Sequence, residues 1–359
     1  RRTGRFNEAL ENFQKGLEHF SCSNEENEVS TLLSNIGNVY CDQGNFDESL
    51  ASYKEGMRIM ERNRNKKGIA QVANNLGVLE KEKGNLDASV EYYQLSMDML
   101  KKVGLKNAYA TVLNNIGNTY AAKGEFNRTR DYFMRSLELR TTIGDKDGMA
   151  QSLGNLGLLC NDLGDLDDAW EHYQRSLDLA REIDDLSAIA LCYVNMGENL
   201  RFRGKHEEAL DMYGKSLKLF REIGDPRTEI NSLCGLADTY LELGDGKKAM
   251  DMASKAVEGA LAIQSKNQEQ MARLALAGTL RIMGRHQEAM TQLERVEELY
   301  ERTGERDKLA RTKLEMGLVE MDRGNGKTGL KLVSEAHDMF RRSGMKYWVK
   351  VCEESMEAP

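Results

Sequence analysis

The segment Asp322–Lys331, "DRGNGKTGLK", contains residue types that could bind a nucleotide. Gly326, Lys327 and Thr328 spell the G-K-T that ends a phosphate-binding loop, in which backbone amides and the lysine hold the phosphates of ATP or GTP. The complete motif needs a glycine five residues before Gly326, and Met321 stands there. Such a loop also follows a strand and opens a helix. The elements around the segment therefore decide between a nucleotide site and a structural turn.

The composition points away from nucleic acids, membranes and metals. The chain has 359 residues with a formal charge of −8, whereas nucleic-acid binders and proteins attracted to anionic lipid carry basic surfaces. No apolar run reaches the 18 residues or so that span a bilayer. The six cysteines never form C-x-x-C and the five histidines are scattered, so we expect no metal site and a reducing, cytoplasmic setting. Because the chain opens on Arg1 inside a helical pattern, we expect it to be a piece of a longer protein.

Glycine recurs at a constant spacing of 40 residues. The first series is Gly4, Gly44, Gly84, Gly124, Gly164, Gly204, Gly244, Gly284 and Gly324. The second is Gly37, Gly77, Gly117, Gly157 and Gly197, followed by Ala237, Ala277 and Gly317. The third is Gly104, Gly144, Gly224, Gly304 and Gly344, with Asp184 and Gln264 in two of its places. Apolar residues recur at helical spacing between these markers, so each repeat predicts two helices, A and B.

The first two glycine series predict different structural roles. A glycine such as Gly44 fits the left-handed position that ends helix A. Asn45 would then cap helix B, with Glu48 completing a capping box. Gly37 and its equivalents lie inside helix A, where glycine costs about 1 kcal/mol relative to alanine. We therefore expect helix B to approach helix A too closely there for a larger side chain.

The register "NNIGNTYAAKGEFNRTRDYFMRSLEL" (Asn114–Leu139) resembles a tetratricopeptide repeat. The apolar, small and aromatic positions of that family are filled here by Ile116, Gly117, Tyr120, Gly124, Thr129, Phe133 and Ser136. The resemblance covers nearly the whole chain, with the helix B of a partial repeat in 1–24, eight helix pairs in 25–344, and a terminal half repeat or capping helix in 345–359. It implies an all-α fold, a right-handed superhelical solenoid of antiparallel helix pairs.

The repeat length narrows the resemblance without fixing a lineage. The usual repeat has about 34 residues, and the longer form is similar to Pins-type adaptors, kinesin light chains and many prokaryotic regulatory proteins. In the family, the concave wall lined by A helices binds extended peptides or partner helices. In this register Gly324 ends a helix A and Asn325 caps a helix B, so Lys327 and Thr328 fall in a helical turn. Since no G-x-S-x-G, H-E-x-x-H or dinucleotide-binding motif occurs either, we expect no catalytic residues and no cofactor.

The family's clamp for a C-terminal carboxylate is not predicted. Its two asparagine positions are filled by Asn38 and Asn75, but its three cationic positions hold Ser34, Thr111 and Asn115. A carboxylate without those cations loses its main partners. We therefore do not expect the chaperone tails that such clamps bind.

A ladder of amides replaces the clamp. One asparagine per repeat recurs as Asn35, Asn75, Asn115, Asn155 and Asn195, and Asn38 and Asn118 lie one helical turn further along. A primary amide both donates and accepts, so it can pair with a peptide backbone. The alternative is that these amides bond the backbone of the neighbouring repeat. We favour that alternative slightly for the Asn35 series, and ligand binding for Asn38 and Asn118.

Later helix-A positions become basic and apolar. Arg273 and Arg281, with Met271 and Leu274, indicate either a second half suited to an acidic and hydrophobic segment or a solvated charged face, which is the simpler account. The predicted peptide-binding set is Asn38, Asn75, Asn115, Asn118, Asn155, Asn195, Arg273 and Arg281.

Two functional hypotheses from different classes remain. The first is a non-enzymatic scaffold that binds a peptide or helix of a partner protein; an inner wall blocked by the chain's own ends would count against it. The second is the sensor or regulatory arm of a larger signalling ATPase, cyclase or transcription regulator. An enzyme acting through G-K-T is much the weaker idea. The end helices also offer a surface for weak self-association.

Overall fold

The computed structural model describes residues 6–22 and 25–357, and within them the chain forms eighteen α-helices and no strand. The helices are α1 (Phe6–Cys22), α2 (Glu26–Gln43), α3 (Phe46–Arg62), α4 (Lys66–Glu82), α5 (Leu86–Val103), α6 (Lys106–Ala122), α7 (Phe126–Ile143), α8 (Lys146–Leu163), α9 (Leu166–Glu182), α10 (Leu186–Phe202), α11 (His206–Ile223), α12 (Pro226–Glu242), α13 (Gly246–Ala262), α14 (Lys266–Ile282), α15 (His286–Thr303), α16 (Arg306–Asp322), α17 (Gly326–Ser343) and α18 (Lys346–Glu357). The even-numbered helices are the A helices, and the odd-numbered ones are the B helices.

The helices divide into two compact units. Unit 1 comprises Arg1–Tyr120 and Asp131–Asp145, and unit 2 comprises Ala121–Arg130 and Lys146–Pro359. Successive helices pack side by side within each unit, as α2 to α5 do in unit 1 and α8 to α18 in unit 2. A helices also contact the A helix of the next repeat, for example α2 with α4 and α8 with α10. The predicted all-α solenoid class of antiparallel helix pairs is confirmed.

The glycines of the first series end the A helices as predicted. Gly44 has φ 76°, its N–H donates to the Cys41 carbonyl at 3.0 Å, and the next N–H reaches back to the Tyr40 carbonyl at 2.9 Å. The later members have φ between 72° and 84°, while Gly4 lies outside the described residues. In the third series, Asp184 and Gln264 adopt the same left-handed backbone at φ 54° and 53°. The turn geometry is therefore kept even where glycine is lost.

The predicted capping of helix B by Asn45 and Glu48 is wrong. The Asn45 side chain makes no capping bond to α3, and the Asn45 carbonyl accepts the Ser49 N–H at 3.1 Å. At the equivalent Asn85 and Asn325, the amide nitrogen donates at 2.6 Å to a carboxylate at the end of the preceding A helix, Glu80 or Glu320. A neighbouring carboxylate, which the repeat register does not reveal, draws these two amides away from the helix.

Side-chain caps lie elsewhere, mostly at the B-to-A turns. Asn65 accepts the Gly68 N–H at 3.0 Å, and Asp185 accepts the N–H groups of Ser187 and Ala188 at 2.9 and 3.0 Å. Each bond satisfies one of the free donors in the first turn of a helix. Asn65 therefore fixes the start of α4, and Asp185 fixes the start of α10.

Aromatic rings of the B helices lie directly against the interior glycines of the A helices. A Cβ added at Gly37 would lie 2.6 Å from Cε1 of Tyr53, and one at Gly117 would lie 2.5 Å from Cε1 of Phe133. Gly157 meets Tyr173 at 2.4 Å in the same way. Contacts under about 3 Å cannot form without displacing the ring or the helix. The predicted close approach of helix B is confirmed, and it explains why only glycine or alanine occurs in the series.

A second repeated contact joins the first five helix pairs from inside. Serine hydroxyls of the B helices donate to helix-A carbonyls, as from Ser96 to Ala70 at 2.7 Å and from Ser176 to Ala150 at 2.8 Å. In the first repeat the two partners are exchanged, because Ser30 on helix A donates to the Gly56 carbonyl on helix B at 2.9 Å. These serines are fully or nearly fully buried. A hydroxyl whose hydrogen bond is made can be buried at little cost.

The G-K-T segment is the turn that the repeat register predicts. Gly324 has φ 84° at the end of α16, and α17 begins at Gly326. Lys327 and Thr328 lie exposed in the first turn of α17. Since a helix precedes the turn, the strand that a phosphate-binding loop requires does not lie in front of it.

Two glycines of α8 test the close-approach argument. Gly154 has only Ser176 Oγ near its Cβ position, at 3.8 Å, whereas Gly157 faces the fully buried ring of Tyr173. Gly154→Ala should stabilise the protein by about 0.5–1 kcal/mol because alanine is the better helix former. Gly157→Ala should destabilise it by at least about 1 kcal/mol through overpacking.

Thermal melts of the two variants beside the wild type measure the difference. The expected order of melting temperature is Gly154→Ala, then wild type, then Gly157→Ala. A Gly157→Ala protein that melts at or above the wild-type temperature would contradict the role given to the ring contact.

Candidate functional site

Unit 1 contains a pocket of about 370 Å³ between its A helices α2, α4 and α6. We call it the amide pocket, after the side chains of Asn35, Gln71, Asn74 and Asn75 that line it. The remaining lining residues are Thr31, Ser34, Met60, Gly68, Ala70, Val72, Ser96, Leu100, Ala108, Thr111 and Val112. Positions 31, 71 and 111 occupy the same place in three successive repeats, as do 35 and 75. The 40-residue register therefore builds the pocket.

Three of the four amides have free hydrogen-bonding groups. Among the described residues, the side chains of Asn35, Gln71 and Asn75 make no hydrogen bond within the protein. Asn74 differs, because its Oδ1 accepts from Nδ2 of Asn115 at 2.8 Å. Each free amide offers two N–H donors and one carbonyl acceptor to the pocket. The site can therefore satisfy both the N–H and the C=O groups of a bound backbone.

The hydroxyl groups of the pocket are already oriented by their own helices. Thr31 donates to the Asn27 carbonyl at 2.9 Å, Ser34 to that of Ser30 at 3.0 Å, and Thr111 to that of Asn107 at 3.2 Å. Each donor is therefore used, and what remains for a ligand is acceptor capacity. These oxygens complement the N–H donors of the amides.

The pocket lining carries no charged side chain. Behind Thr111 lies the buried Arg140, whose guanidinium donates to Thr111 Oγ1 at 3.3 Å and to Asp145 Oδ2 at 3.3 Å. The carboxylate of Asp145 thus opposes the charge of Arg140. The site favours a neutral polar ligand over a free carboxylate or an ammonium group.

The asparagines of unit 1 that are free to bind a ligand are not the ones that the sequence analysis favoured. Asn75 lines the pocket and is free, and Asn115 bonds the side chain of Asn74 in the neighbouring repeat. Asn38, favoured as a ligand contact, accepts a hydrogen bond from the Tyr53 hydroxyl at 2.6 Å. Asn118 is exposed and makes no hydrogen bond within the described residues. The best-placed free amides therefore belong to the Asn35 series.

The other four predicted residues lie in unit 2. Asn155 is half-buried and Asn195 is buried. Arg273 is 9% exposed, and its guanidinium contacts Glu269 Oε1 at 2.6 Å and the amide oxygen of Gln292. Arg281 contacts Glu315 Oε2 at 3.4 Å and Asp322 Oδ2 at 3.0 Å. Both arginines are held by partners within the protein, and we leave them out of the proposed site.

The amide ladder stops at Gly235 for a steric reason. A Cβ at Gly235 would lie 2.3 Å from Cε1 of Tyr213, while the interior glycine Gly197 leaves 3.0 Å to the same ring. The Tyr213 ring has therefore moved toward the next repeat, into the place where earlier repeats carry asparagine. An asparagine cannot fit there without displacing a fully buried ring.

The inner side of unit 2 is covered by the protein's own C-terminal helix. The Tyr347 ring on α18 stacks on Phe202 of α10, with 4.2 Å between centroids and 18° between planes. Lys346 Nζ donates to Asp165 Oδ1 at 2.8 Å. An inner wall blocked by the chain's own end was the observation expected to count against a scaffold, and it holds for this surface. The amide pocket is therefore the only open site that we propose.

Sequence reasoning missed most of the pocket. Gln71 and Asn74 were not predicted as site residues, and for Asn35 a structural role was slightly favoured over ligand binding. The available signal was the polar character of helix-A positions one turn before the ladder, where Thr31, Gln71 and Thr111 recur at the repeat period. That signal shows which residues share a face but not which side chains remain free.

The described part of the chain offers little to other classes of site. None of its helices is long and apolar enough to cross a membrane. Three or more His, Cys, Asp or Glu side chains do not come together there in an arrangement that could hold a metal ion.

With the geometry described, the chain can be compared with known proteins. A tetratricopeptide repeat profile matches residues 28–102, 108–182 and 187–262, and the chain therefore belongs to the tetratricopeptide repeat family. No curated protein sequence matches it.

Solved structures agree on the fold. A Rap protein complexed with Competence and Sporulation Factor is similar with a TM-score of 0.68 at 14% identity, over 95% of this chain and 99% of that one. Aspartyl phosphate phosphatase F from Bacillus subtilis is similar at 0.60 and 13% identity, over 94% of both chains. A Signal Transduction ATPase with Numerous Domains (STAND) protein with a tetratricopeptide repeat sensor, from Pyrococcus horikoshii, is similar at 0.53 and 16% identity, over 92% of this chain and 52% of that one.

Replacing two predicted asparagines separates structural from free amides. Asn38→Ala removes a hydrogen-bond acceptor of the hydroxyl of the buried Tyr53 and should destabilise the protein by about 1 kcal/mol. Asn118→Ala removes an exposed, unbonded amide and should change stability by less than about 0.5 kcal/mol. Denaturant titrations of both variants provide the comparison. Equal losses, or a larger loss for Asn118→Ala, would contradict these assignments.

Proposed function

We propose that this protein is a non-enzymatic interaction scaffold, and that the amide pocket of unit 1 binds an extended segment of a partner protein through its backbone. The observation that carries the proposal is the convergence of three free amides, from Asn35, Gln71 and Asn75, on one uncharged pocket. These amides have no hydrogen-bond partner within the part of the chain that the structure describes. A ligand that supplies donors and acceptors to them forms hydrogen bonds without breaking any in the protein. An extended peptide supplies alternating donors and acceptors.

The size and charge of the pocket refine the ligand class. A volume of about 370 Å³ lies near the lower end of ligand pockets, so it takes a short stretch of chain rather than a folded domain. The neutral lining disfavours a C-terminal carboxylate, which would need a cation. Backbone recognition also makes the site tolerant of ligand side chains, apart from those that face Met60, Val112 and Leu100.

A second candidate function is supported by one comparison. The STAND protein from Pyrococcus horikoshii carries a tetratricopeptide repeat sensor, and this chain covers about half of it. The chain would then be the sensing arm of a larger signalling protein, with the amide pocket as its receptor site. The likeness to aspartyl phosphate phosphatase F is one of fold at 13% identity and brings no activity with it.

Selection from a phage-displayed library of random dodecapeptides tests the scaffold proposal. Peptides enriched on the wild-type protein should bind the Asn35→Ala/Asn75→Ala variant at least tenfold more weakly, equivalent to about 1.4 kcal/mol for two lost bonds. Gln94→Ala, an exposed amide on the B helix α5, is the matched control and should leave affinity unchanged. Fluorescence anisotropy measures each affinity, and circular dichroism checks folding.

Two outcomes overturn the proposal. One is that the double variant binds the selected peptides as tightly as the wild type. The other is that selection enriches only peptides that need a free C-terminal carboxylate. The sensor hypothesis is tested separately, by sequencing the gene on both sides of this segment for an adjoining ATPase, cyclase or DNA-binding domain.

A further inference from the structure

The C-terminal helix α18 docks on unit 2 through residues far away in sequence. Four rings form one cluster, in which Tyr347 stacks on Phe202, Trp348 meets Phe202 edge-on at 5.8 Å, and Trp348 stacks on Phe340 at 5.7 Å. The guanidinium of Arg201 lies 4.9 Å from the centroid of Phe202, and that of Arg311 lies 4.6 Å from the centroid of Trp348. The cluster joins the last A helix to the middle of the unit.

The turn before α18 fits against the glycine turns that end earlier A helices. A Cβ at Gly164 would lie 3.3 Å from the backbone nitrogen of Tyr347 and 3.4 Å from Cβ of Lys346. A Cβ at Gly124 would lie 2.8 Å from Ser343 Oγ. Because Gly124 and Gly164 have no side chain, the backbone between α17 and α18 can pack directly against these two turns.

The charged residues at the contact of α18 have other ion-pair partners, so undocking of α18 would not leave a buried charge unpaired. Asp165, the partner of Lys346, also lies 3.8 Å from the guanidinium of Arg130. Arg201 pairs with Glu242 at 2.5 Å, a contact to which no residue of α18 contributes. Lys346 is 72% exposed and loses little hydration on docking. Breaking a buried ion pair costs most when one partner is left alone, and that cost does not arise here.

Carboxylates and guanidinium groups both lie around the contact of α18. Within the described residues, the carboxylates of Asp162, Glu198 and Asp238 have no hydrogen bond or ion pair. Burial raises the pKa of the Asp162 carboxyl, and the carboxylate of Glu198 raises it further. The guanidinium of Arg311 lowers the pKa of Asp162, and Arg201 lies close enough to Glu198 and Asp238 to interact with their charges, so cations of the unit already offset part of this negative charge. The chemistry that the surface accepts is therefore given by the contacts of α18 itself, a lysine on Asp165 and an aromatic ring on Phe202.

We propose that the inner face of unit 2, formed by Phe202 with Asp165, Glu198 and Glu242, is a second binding surface for a helical segment that presents a lysine beside aromatic rings, and that α18 occupies it as an intramolecular competitor. A partner segment of this chemistry binds by displacing α18. Its apparent affinity is then the intrinsic affinity multiplied by the small fraction of molecules in which α18 is undocked. This proposal does not depend on the amide pocket.

A peptide of the helix's own sequence is the probe. We use residues 343–355 as a labelled synthetic peptide with Cys352→Ser, and measure its binding to the full chain by fluorescence anisotropy. Lys346→Glu/Tyr347→Ser in the protein removes the ion pair and the ring stack of the internal competitor but leaves Phe202 and Asp165 intact. This variant should bind the peptide at least about tenfold more tightly than the wild type. A peptide carrying the same two substitutions is the control and should not bind.

A cross-linked variant tests the same competition from the other side. In Gly164→Cys/Lys346→Cys the two Cβ atoms lie about 3.4 Å apart by the wild-type geometry, close to the roughly 3.8 Å typical of disulfides. Added to Tyr347→Ser, the oxidised bond should abolish peptide binding, and reduction should restore it. Each single cysteine variant shows whether the effect needs both thiols.

The outcomes are distinguishable from loss of folding. Melting curves recorded on the same samples identify a variant that has unfolded, and the reduced and oxidised forms of the cross-linked protein differ only in one bond. The proposal is overturned if the Lys346→Glu/Tyr347→Ser protein, folded, binds the peptide no better than the wild type. It is overturned equally if oxidation leaves peptide binding unchanged. Success or failure of the dodecapeptide selection on unit 1 has no bearing on either result.

Discussion

The contact between one aromatic ring of helix B and one glycine of helix A, made in the first five repeats, sets the geometry on which the amide pocket depends. Tyr53, Tyr93, Phe133 and Tyr173 are buried, and each lies where the glycine's Cβ would be. The ring limits how closely the two helices can approach and how helix A can rotate, because it occupies the place of the glycine's Cβ. With helix A held in that rotation, its polar residues turn to the inner side of the repeat.

The amide pocket follows from repeating this contact. In unit 1, Gly37 and Gly77 meet their rings at the same distance of 2.6 Å, so positions 35 and 75 present their amides in the same direction. Where the ring moves, the pattern changes, as Tyr213 shows by filling the space beside Gly235. Core packing therefore determines which residues the inner surface can carry, because a shift of one buried ring excludes an asparagine from the ladder.

Much of the fold is predictable from the sequence because its determinants are local and periodic. Glycine at 40-residue spacing predicts the turns, and small residues opposite aromatic ones predict the helix pairs. The same reasoning resolved G-K-T, since Gly324 occupies the register of a helix end. The positions of side chains at those turns were not predictable. Asn85 and Asn325 leave their helices for nearby carboxylates, and the sequence cannot weigh two hydrogen-bond partners against each other.

The functional surfaces depend on tertiary choices that leave no period in the sequence. Asn38 and Asn75 are both asparagines of A helices, yet one is bound to a tyrosine and the other is free. The stacking of Tyr347 on Phe202 joins residues in distant repeats, so no local sequence pattern predicts it. Unit 1 keeps an uncharged pocket, and unit 2 carries an aromatic surface with carboxylates and arginines that is covered by α18. One repeat geometry therefore supports two surfaces of different chemistry.

The most direct test of the central claim is a crystal structure of the protein with a selected peptide bound. The account predicts an extended peptide between α2, α4 and α6, with its backbone within about 3.2 Å of the side-chain amides of Asn35 and Asn75. A peptide bound on the outer surface of the B helices, or bound only through its side chains, would contradict it.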